Sequence, residues 1–256
     1  MARSGSTLMC KCLGCMQGSA LLSEIHPAAT RMFNPLNQAQ GWFSLLNKKD
    51  IARLENGQSM DFVEAIQLIE RRCRQKNLNL VIRDWAHLDF TGLPFIETPA
   101  MSPALADTLQ NHFSLIRIAM VRHPLDQWLS ISHLELMQES IKSGKLNVQS
   151  FMTGYEAFAR ESAAIGFIRY EDFTRHPQRN MQTLCNMLEL RFDPAFLEHW
   201  GDYQTITGDV QSTRGGNEIT PLQRRSFNTS LMRQFEKEDS YHNSLALLGY
   251  SAEDWS

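Results

Sequence analysis

Short apolar segments alternate with longer amphipathic segments along most of the chain. Four apolar segments have the length of buried β-strands and are bounded by polar or turn residues: Ala20–Ile25, Leu78–Trp85, Leu115–Val121 and Ile165–Tyr170. Their apolar residues run with few interruptions, as in parallel strands that are buried on both faces. The pattern therefore predicts a parallel β-sheet.

The segments between these strands have helical periodicity. In Ser59–Gln75 the apolar side chains, among them Ile66 and Ile69, fall on one helix face. Pro124–Ser140 begins with proline in its first turn, where a helix tolerates it. Strands that alternate with helices predict an α/β fold in three layers, with a central parallel sheet flanked by helices. From about Asp193 onward we expect helices and irregular structure without a strand.

The composition is that of an ordinary globular protein, since 43% of the 256 residues are hydrophobic and 21% are charged. This length suits one domain over residues 1–256. The formal net charge of −3 argues against a nucleic-acid partner, which would favour a basic excess. No apolar run approaches the roughly 18 residues of a membrane helix, and the polar start is unlike a signal peptide. We therefore expect a cytoplasmic protein without a membrane span.

Three of the five cysteines, Cys10, Cys12 and Cys15, lie close together in one predicted helix. An odd number of cysteines with this spacing is a poor disulfide framework. The three thiols could ligate a metal, but no fourth ligand lies nearby. We interpret them as reduced, buried side chains and expect no metal.

The first residues of the chain, Met1–Thr7, have the composition of an anion-binding loop. Gly5 lets the backbone approach an anion closely, Ser6 and Thr7 add hydroxyl donors, and Arg3 adds a positive charge. The loop would lie beside a helix N-terminus, which favours anions. No lysine precedes the hydroxyl pair, so the nucleoside-triphosphate motif of kinases and ATPases is absent.

A second anion-binding position is predicted where the third strand ends. Arg122 follows that strand directly, and the next helix begins near Pro124. Ser130 lies eight residues after Arg122, which is about two helical turns, so both side chains could reach one anion. Two anion-binding positions suggest a ligand with phosphates at two ends.

In the order and spacing of these motifs, the chain resembles the sulfotransferases that use 3′-phosphoadenosine 5′-phosphosulfate (PAPS). The resemblance implies a P-loop-like fold in which the loop Arg3–Thr7, with Ser4, binds the 5′-phosphosulfate, and Arg122 with Ser130 binds the 3′-phosphate. It extends to the segment Ile168–Phe173, whose Tyr170 would lie near the nucleotide, and more loosely to Ser212–Gly216. In that last segment, Arg214 and Gly215 would fold over the 3′-phosphate.

The resemblance also implies the catalytic groups. Arg3 would stabilise the leaving phosphate, and Glu24, at the end of a strand, would be the general base. His87 is the alternative base, or a group that orients the acceptor. Glu24 could instead be a helix cap or a surface carboxylate, and His87 a half-buried histidine hydrogen-bonded to Asp84 or Asp89. We favour Glu24 because its position at the strand end is better defined.

In sulfotransferases of this kind a buried apolar strand precedes the phosphate loop, whereas here the sequence starts two residues before Arg3. We therefore expect that the chain starts at an internal methionine and that its activity is impaired. A non-catalytic nucleotide-binding relative and a P-loop small-molecule kinase are the alternative functions. Trp42, Phe43 and Phe95 could line an apolar acceptor pocket, although the acceptor could be a glycan, lipid, peptide or small metabolite. The oligomeric state is not indicated.

Overall fold

The computed structural model describes residues 1–57, 59–208 and 218–251. Within them, four strands form two parallel pairs: β1 (Ser19–Ile25) pairs with β2 (Asn79–Asp84), and β3 (Ala119–Val121) pairs with β4 (Phe167–Arg169). The predicted α/β class and the parallel pairing are confirmed. β3 and β4 are each only three residues long, because their ladder is limited to three paired positions.

Helices connect and cover the strands. In the described part of the chain they are α1 (Ser6–Gly14), α2 (Pro35–Phe43), α3 (Lys48–Glu55), α4 (Phe62–Gln75), α5 (His87–Phe90), α6 (Ala104–Leu109), α7 (Pro124–Ile131), α8 (Gln138–Lys142), α9 (Val148–Ile165), α10 (Tyr170–Arg175), α11 (Pro177–Met187), α12 (Phe196–His199), α13 (Thr229–Glu236) and α14 (Asp239–Leu248). Short 3₁₀ helices span Pro27–Ala29, Glu135–Met137 and Trp200–Asp202. None of these helices is long and apolar enough to cross a bilayer.

The helix predicted over Pro124–Ser140 is interrupted. Leu134 adopts an extended backbone conformation, with φ −78° and ψ 127°, which separates α7 from the 3₁₀ turn and α8 that follow. The helix predicted over Ser59–Gln75 begins later, at Phe62. Its start is fixed by a capping box, in which Asp61 accepts from the Glu64 amide and the Glu64 carboxylate accepts from the Asp61 amide.

The layered arrangement follows from the alternation of side chains along β1. Leu21 packs in a cluster with Leu13 of α1 and Leu184 of α11, whereas Leu22 packs on the opposite face with Ala39 of α2 and Ile66 of α4. Successive side chains of a strand point to opposite faces, so helices cover both sides of this pair. The strands therefore divide the core into two apolar layers, each covered by helices, as the α/β pattern predicts.

Loops at the carboxyl ends of the strands converge on one region. Glu24 lies next to the last residue of β1, and Arg83 lies next to the last residue of β2. Arg122 follows β3, and Tyr170 follows β4. In parallel α/β sheets, ligands bind beyond the carboxyl ends of the strands. We therefore expect a functional site at this edge.

Candidate active site

The N-terminal loop leads into α1 through a glycine that no other residue replaces easily. Gly5 has φ +92°, a conformation that L side chains rarely adopt, and a β-carbon built on it would lie 2.3 Å from Cδ2 of Tyr170. The aromatic ring thus packs directly against the glycine backbone. No side chain caps the first turn of α1, so its first amide groups remain available as donors.

Arg3 and Arg122, predicted to serve two anion-binding positions, meet in the structure. Arg3 Nε donates to Ser130 Oγ at 2.9 Å, and Arg122 Nη1 lies 3.4 Å from the Arg3 carbonyl oxygen. The guanidinium carbon of Arg122 lies 4.6 Å from the centre of the Tyr170 ring. The buried Nε of Arg122 has no hydrogen-bond partner among the described residues. A buried N–H of this kind is suited to a ligand anion.

The three hydroxyl residues of the loop, Ser4, Ser6 and Thr7, have different surroundings. Ser4 is fully buried, and its Oγ donates to the Met1 carbonyl at 3.0 Å. Ser6 and Thr7, by contrast, line a cavity of about 430 Å³ that also contains Arg3 and Arg122. Among the three, only Ser6 and Thr7 line that cavity, and Ser4 holds the loop together from inside.

Glu24 is held in a strained backbone conformation. Its φ is +56°, and the β1–β2 register shifts between Ser23 and Ile25, so Glu24 occupies a bulge. The bulge turns its carboxylate into the cavity, where Oε1 lies 3.4 Å from Arg83 Nη2. Left-handed conformations of residues other than glycine cost about 1 to 3 kcal/mol and cluster at functional sites.

His87 borders the same cavity but has no free nitrogen in this structure. Its Nε2 is 2.6 Å from the Leu93 carbonyl oxygen, which can only accept, and Nδ1 is bonded to the Thr91 hydroxyl. Burial lowers the pKa of His87 to about 4, so the ring is neutral near pH 7. The alternative interpretation of His87, as a half-buried histidine bonded to Asp84 or Asp89, is wrong, since both ring nitrogens bond elsewhere and Asp89 pairs with His26 at 2.9 Å.

Two basic residues that sequence reasoning missed also face the cavity, Lys11 and Arg83. Lys11 lies one turn after Thr7 on the same face of α1. Arg83 Nη1 donates to the Thr207 carbonyl at 3.0 Å and approaches Ser23 Oγ at 3.3 Å. The signal for Arg83 was present in the sequence as a charge inside an apolar strand. With Arg3 and Arg122, these residues give a cavity whose described lining has four basic side chains and two acidic ones, Glu24 and Glu218.

One wall of the cavity is apolar. Trp85 packs edge-on against Phe95, with ring centres 5.0 Å apart, and both line the cavity together with Leu136. Phe95 is 39% exposed and Leu136 is 56% exposed. Of the three aromatic residues predicted to line an acceptor pocket, Phe95 lines this cavity. Trp42 and Phe43 pack against each other and do not line this cavity.

Two predicted site residues, Arg214 and Gly215, lie outside the described residues. Within the described ranges, no group of three or more His, Cys, Asp or Glu side chains is arranged to hold a metal ion. Cys10, Cys12 and Cys15 are free thiols, and burial raises the pKa of Cys10 to about 11. These thiols are therefore protonated near neutral pH.

Comparison with known proteins agrees with this geometry. A model of the Sulfotransferase family matches residues 1–194. A sulfotransferase domain from the curacin biosynthetic pathway superposes with a TM-score of 0.62 at 18% identity, covering 98% of this chain and 95% of the other. A sulfotransferase domain from the olefin synthase of Synechococcus PCC 7002 gives a TM-score of 0.60 at 15% identity, covering 97% and 92%. No protein of curated function is matched in sequence.

Proposed function

Because the chain belongs to the sulfotransferase family, we propose that it transfers a sulfuryl group from PAPS to a hydroxyl or amine acceptor. The observation that carries the proposal is the meeting of Arg3 and Arg122 at the N-terminus of α1, where Arg3 Nε reaches Ser130. Two guanidinium groups beside one helix N-terminus form a strong anion site, because both the charges and the free amides attract phosphate.

In this proposal the donor lies across the basic end of the cavity. The first amides of α1, with the hydroxyls of Ser6 and Thr7, bind the 5′-phosphosulfate. Arg122 and Ser130 bind the 3′-phosphate, for which the unpaired Nε of Arg122 supplies a donor. Tyr170 holds the Arg122 guanidinium against its ring face and thereby limits the side-chain entropy lost on binding.

Sulfuryl transfer requires a correctly positioned acceptor, a general base and stabilisation of the charge on the leaving group. The acceptor oxygen or nitrogen forms a bond to sulfur while the bond from sulfur to the bridging phosphate oxygen breaks. The acceptor proton passes to the Glu24 carboxylate, and adenosine 3′,5′-bisphosphate leaves with its new charge stabilised by Arg3. General-base assistance of this kind is worth about 10² to 10⁴ in rate.

The surroundings of Glu24 and His87 favour Glu24 as that base. Arg83 lies 3.4 Å from the Glu24 carboxylate and holds it in position. His87 Nδ1 already accepts from Thr91, so His87 would have to lose an internal bond before it could take a proton. We assign His87 a structural role. Its bonds to Thr91 and Leu93 hold the turn that leads to Phe95, which forms the aromatic wall with Trp85.

Glu24→Gln tests the proposal, with Glu218→Gln as the control because it removes an acidic side chain from the same cavity. We expect Glu24→Gln to lower turnover of PAPS at least 100-fold while the calorimetric Kd for adenosine 3′,5′-bisphosphate stays within about twofold. Glu218→Gln should retain turnover. Unchanged turnover in Glu24→Gln would exclude Glu24 as the base.

A thermal-shift measurement distinguishes a sulfotransferase from the two alternatives, a non-catalytic nucleotide binder and a kinase. Adenosine 3′,5′-bisphosphate at 100 times its Kd should add about 2.7 kcal/mol of stability. Stabilisation by this ligand without turnover of any hydroxyl or amine acceptor would indicate a non-catalytic binder. Equal stabilisation by ATP, with competition between the two nucleotides, would indicate a kinase.

A further inference from the structure

The apolar side of the nucleotide cavity starts directly beside the proposed base. Trp85 follows β2, and its amide donates to the Ile25 carbonyl at 3.2 Å, one residue after Glu24. Arg83, which contacts the Glu24 carboxylate, lies two residues before Trp85, and both side chains line the cavity. A molecule bound against the Trp85 ring is therefore close to Glu24.

Other aromatic rings hold the Trp85 ring in place. Phe33 and Phe95 both pack edge-on against it, each with its ring centre 5.0 Å away and with interplanar angles of 76° and 61°. Edge-to-face packing at this distance is a favoured arrangement of aromatic pairs. Because the rings are already restrained, a ligand that packs on them orders few further side chains when it binds.

Five uncharged side chains form what we call the apolar wall: Trp85, Phe95, Leu134, Leu136 and Met137. Among these five, only Trp85 has a side-chain N–H or O–H to donate. Met137 belongs to the same apolar core cluster as Leu93, so the segment after α7 and the turn after Trp85 are joined through the core. Both nitrogens of the neighbouring His87 ring are bonded within the chain. The apolar wall therefore offers a ligand contact area and few hydrogen bonds.

This chemistry distinguishes between the classes of acceptor. A sugar brings several hydroxyls and a peptide brings backbone amides, and a polar group buried without a partner is unfavourable. An aliphatic amine is protonated near pH 7 and has no lone pair with which to attack sulfur. A neutral alcohol with an apolar body buries that body against the apolar wall and needs a polar partner only for its hydroxyl.

We propose that the apolar wall selects the acceptor, and that the acceptor is a neutral alcohol with an apolar body. The body lies against Trp85 and Phe95, and the hydroxyl lies at Glu24. The alcohol oxygen gains the sulfuryl group, its proton passes to Glu24, and adenosine 3′,5′-bisphosphate leaves, so the product is a sulfate monoester. The inference rests on the proposed function, because it names the acceptor of that transfer. Trp85 and Phe95 determine specificity and take no part in the bond changes.

The first test compares acceptors on the full chain with PAPS as donor. The acceptors are 1-butanol, 1-hexanol and methyl β-glucoside, and the measured quantity is kcat/KM for release of adenosine 3′,5′-bisphosphate. We expect kcat/KM to rise about fourfold for each methylene between butanol and hexanol, because each one is buried against the apolar wall. We expect methyl β-glucoside to be about 100-fold poorer than hexanol, because its further hydroxyls lose their hydrogen bonds to water.

The second test removes part of the apolar wall. Phe95→Ala should raise the KM for 1-hexanol about tenfold, while kcat and the calorimetric Kd for adenosine 3′,5′-bisphosphate stay within about twofold. Phe95→Leu keeps an apolar side chain and should restore the KM to within about threefold of the parent. Leu197→Ala is the matched control, because Leu197 is 38% exposed, close to the 39% of Phe95, and does not line the cavity. This control should leave the KM unchanged.

A kcat/KM for methyl β-glucoside that equals or exceeds that for 1-hexanol would overturn the proposal, as would equal KM values in Phe95→Ala and Leu197→Ala. Calorimetric binding of 1-hexanol to the chain saturated with adenosine 3′,5′-bisphosphate needs no turnover and separates the two proposals. Binding that Phe95→Ala weakens, with no acceptor sulfated, would support the alcohol site and contradict sulfuryl transfer. Sulfation of other acceptors without any binding of 1-hexanol would support the transfer and overturn the alcohol site.

Discussion

Asp84 makes the stability of this protein depend on pH in a way that one substitution reveals. Burial, followed by the nearby charge of Asp89, raises the pKa of Asp84 from 3.8 to about 7. A raised carboxyl pKa means that the folded state holds a proton that the unfolded state has lost. The contribution of Asp84 to stability is therefore present below pH 4 and is lost as the pH rises to about 7.

The size of the effect follows from the shift. At 1.36 kcal/mol per pKa unit, ionised Asp84 costs the folded state about 4 kcal/mol relative to a neutral side chain of the same shape. Asp84→Asn should leave the Tm unchanged near pH 4 and raise it above pH 7 by about 8 to 16 °C. The Met1 amine, whose pKa is lowered, makes stability rise between about pH 5 and pH 8. The two groups interact, so the Tm difference isolates Asp84 near pH 4, where its carboxyl is neutral, and near pH 8, where the amine is neutral.

Thermal unfolding of the variants and the parent from pH 3 to pH 8 measures the difference. Asp50→Asn is the control with the opposite sign, because Arg72 donates two hydrogen bonds to Asp50, at 2.7 and 2.8 Å, and lowers its pKa. That variant should lose stability at neutral pH and little near pH 3. If the Tm difference between Asp84→Asn and the parent stays constant from pH 4 to pH 8, Asp84 does not have the raised pKa argued here.

Two further substitutions address the nucleotide site. Gly5→Ala should lower the Tm and abolish binding of adenosine 3′,5′-bisphosphate, because its β-carbon would collide with Tyr170, 2.3 Å away. Gly57→Ala, also at positive φ but with nothing within 4 Å, measures backbone strain alone and should cost only about 1 kcal/mol. Arg122→Gln should weaken calorimetric affinity for the bisphosphate 10- to 100-fold, whereas Arg117→Gln, at a residue paired with Glu161, should not. Equal effects of the two changes within either pair would contradict the site.

The parts of the site that depend on local sequence could be predicted. Gly5 follows from the need for a close backbone approach, and Arg122 with Ser130 follows from helical spacing after a strand. Their roles in binding remain predictions. The structure adds that Arg3 and Ser130 are in direct contact, which spacing alone does not specify, because 126 residues lie between them.

Other features arise from irregular backbone and could not be predicted. The contact between Glu24 and Arg83 depends on a bulge at positive φ, and no local pattern of side chains encodes that bulge. The neutral state of His87 depends on its burial in the folded chain, and its tautomer depends on a turn that brings the Leu93 carbonyl back to its ring. The apolar strand pattern predicted a longer β3, but its backbone pairs with β4 only over Ala119–Val121.

The residues before α1 tie the nucleotide site to the rest of the chain. Arg3 lines that site, and the Ala2 carbonyl before it accepts a hydrogen bond from the Gln127 side chain at 2.7 Å. Arg3 itself has φ +63°, so its backbone is strained where its guanidinium must be placed. The Gln127 bond anchors Ala2 and restrains Arg3 before the nucleotide arrives, so the ordering cost of binding falls. Gln127→Ala should therefore raise the calorimetric Kd for adenosine 3′,5′-bisphosphate, and an unchanged Kd would show that this anchor does not position Arg3.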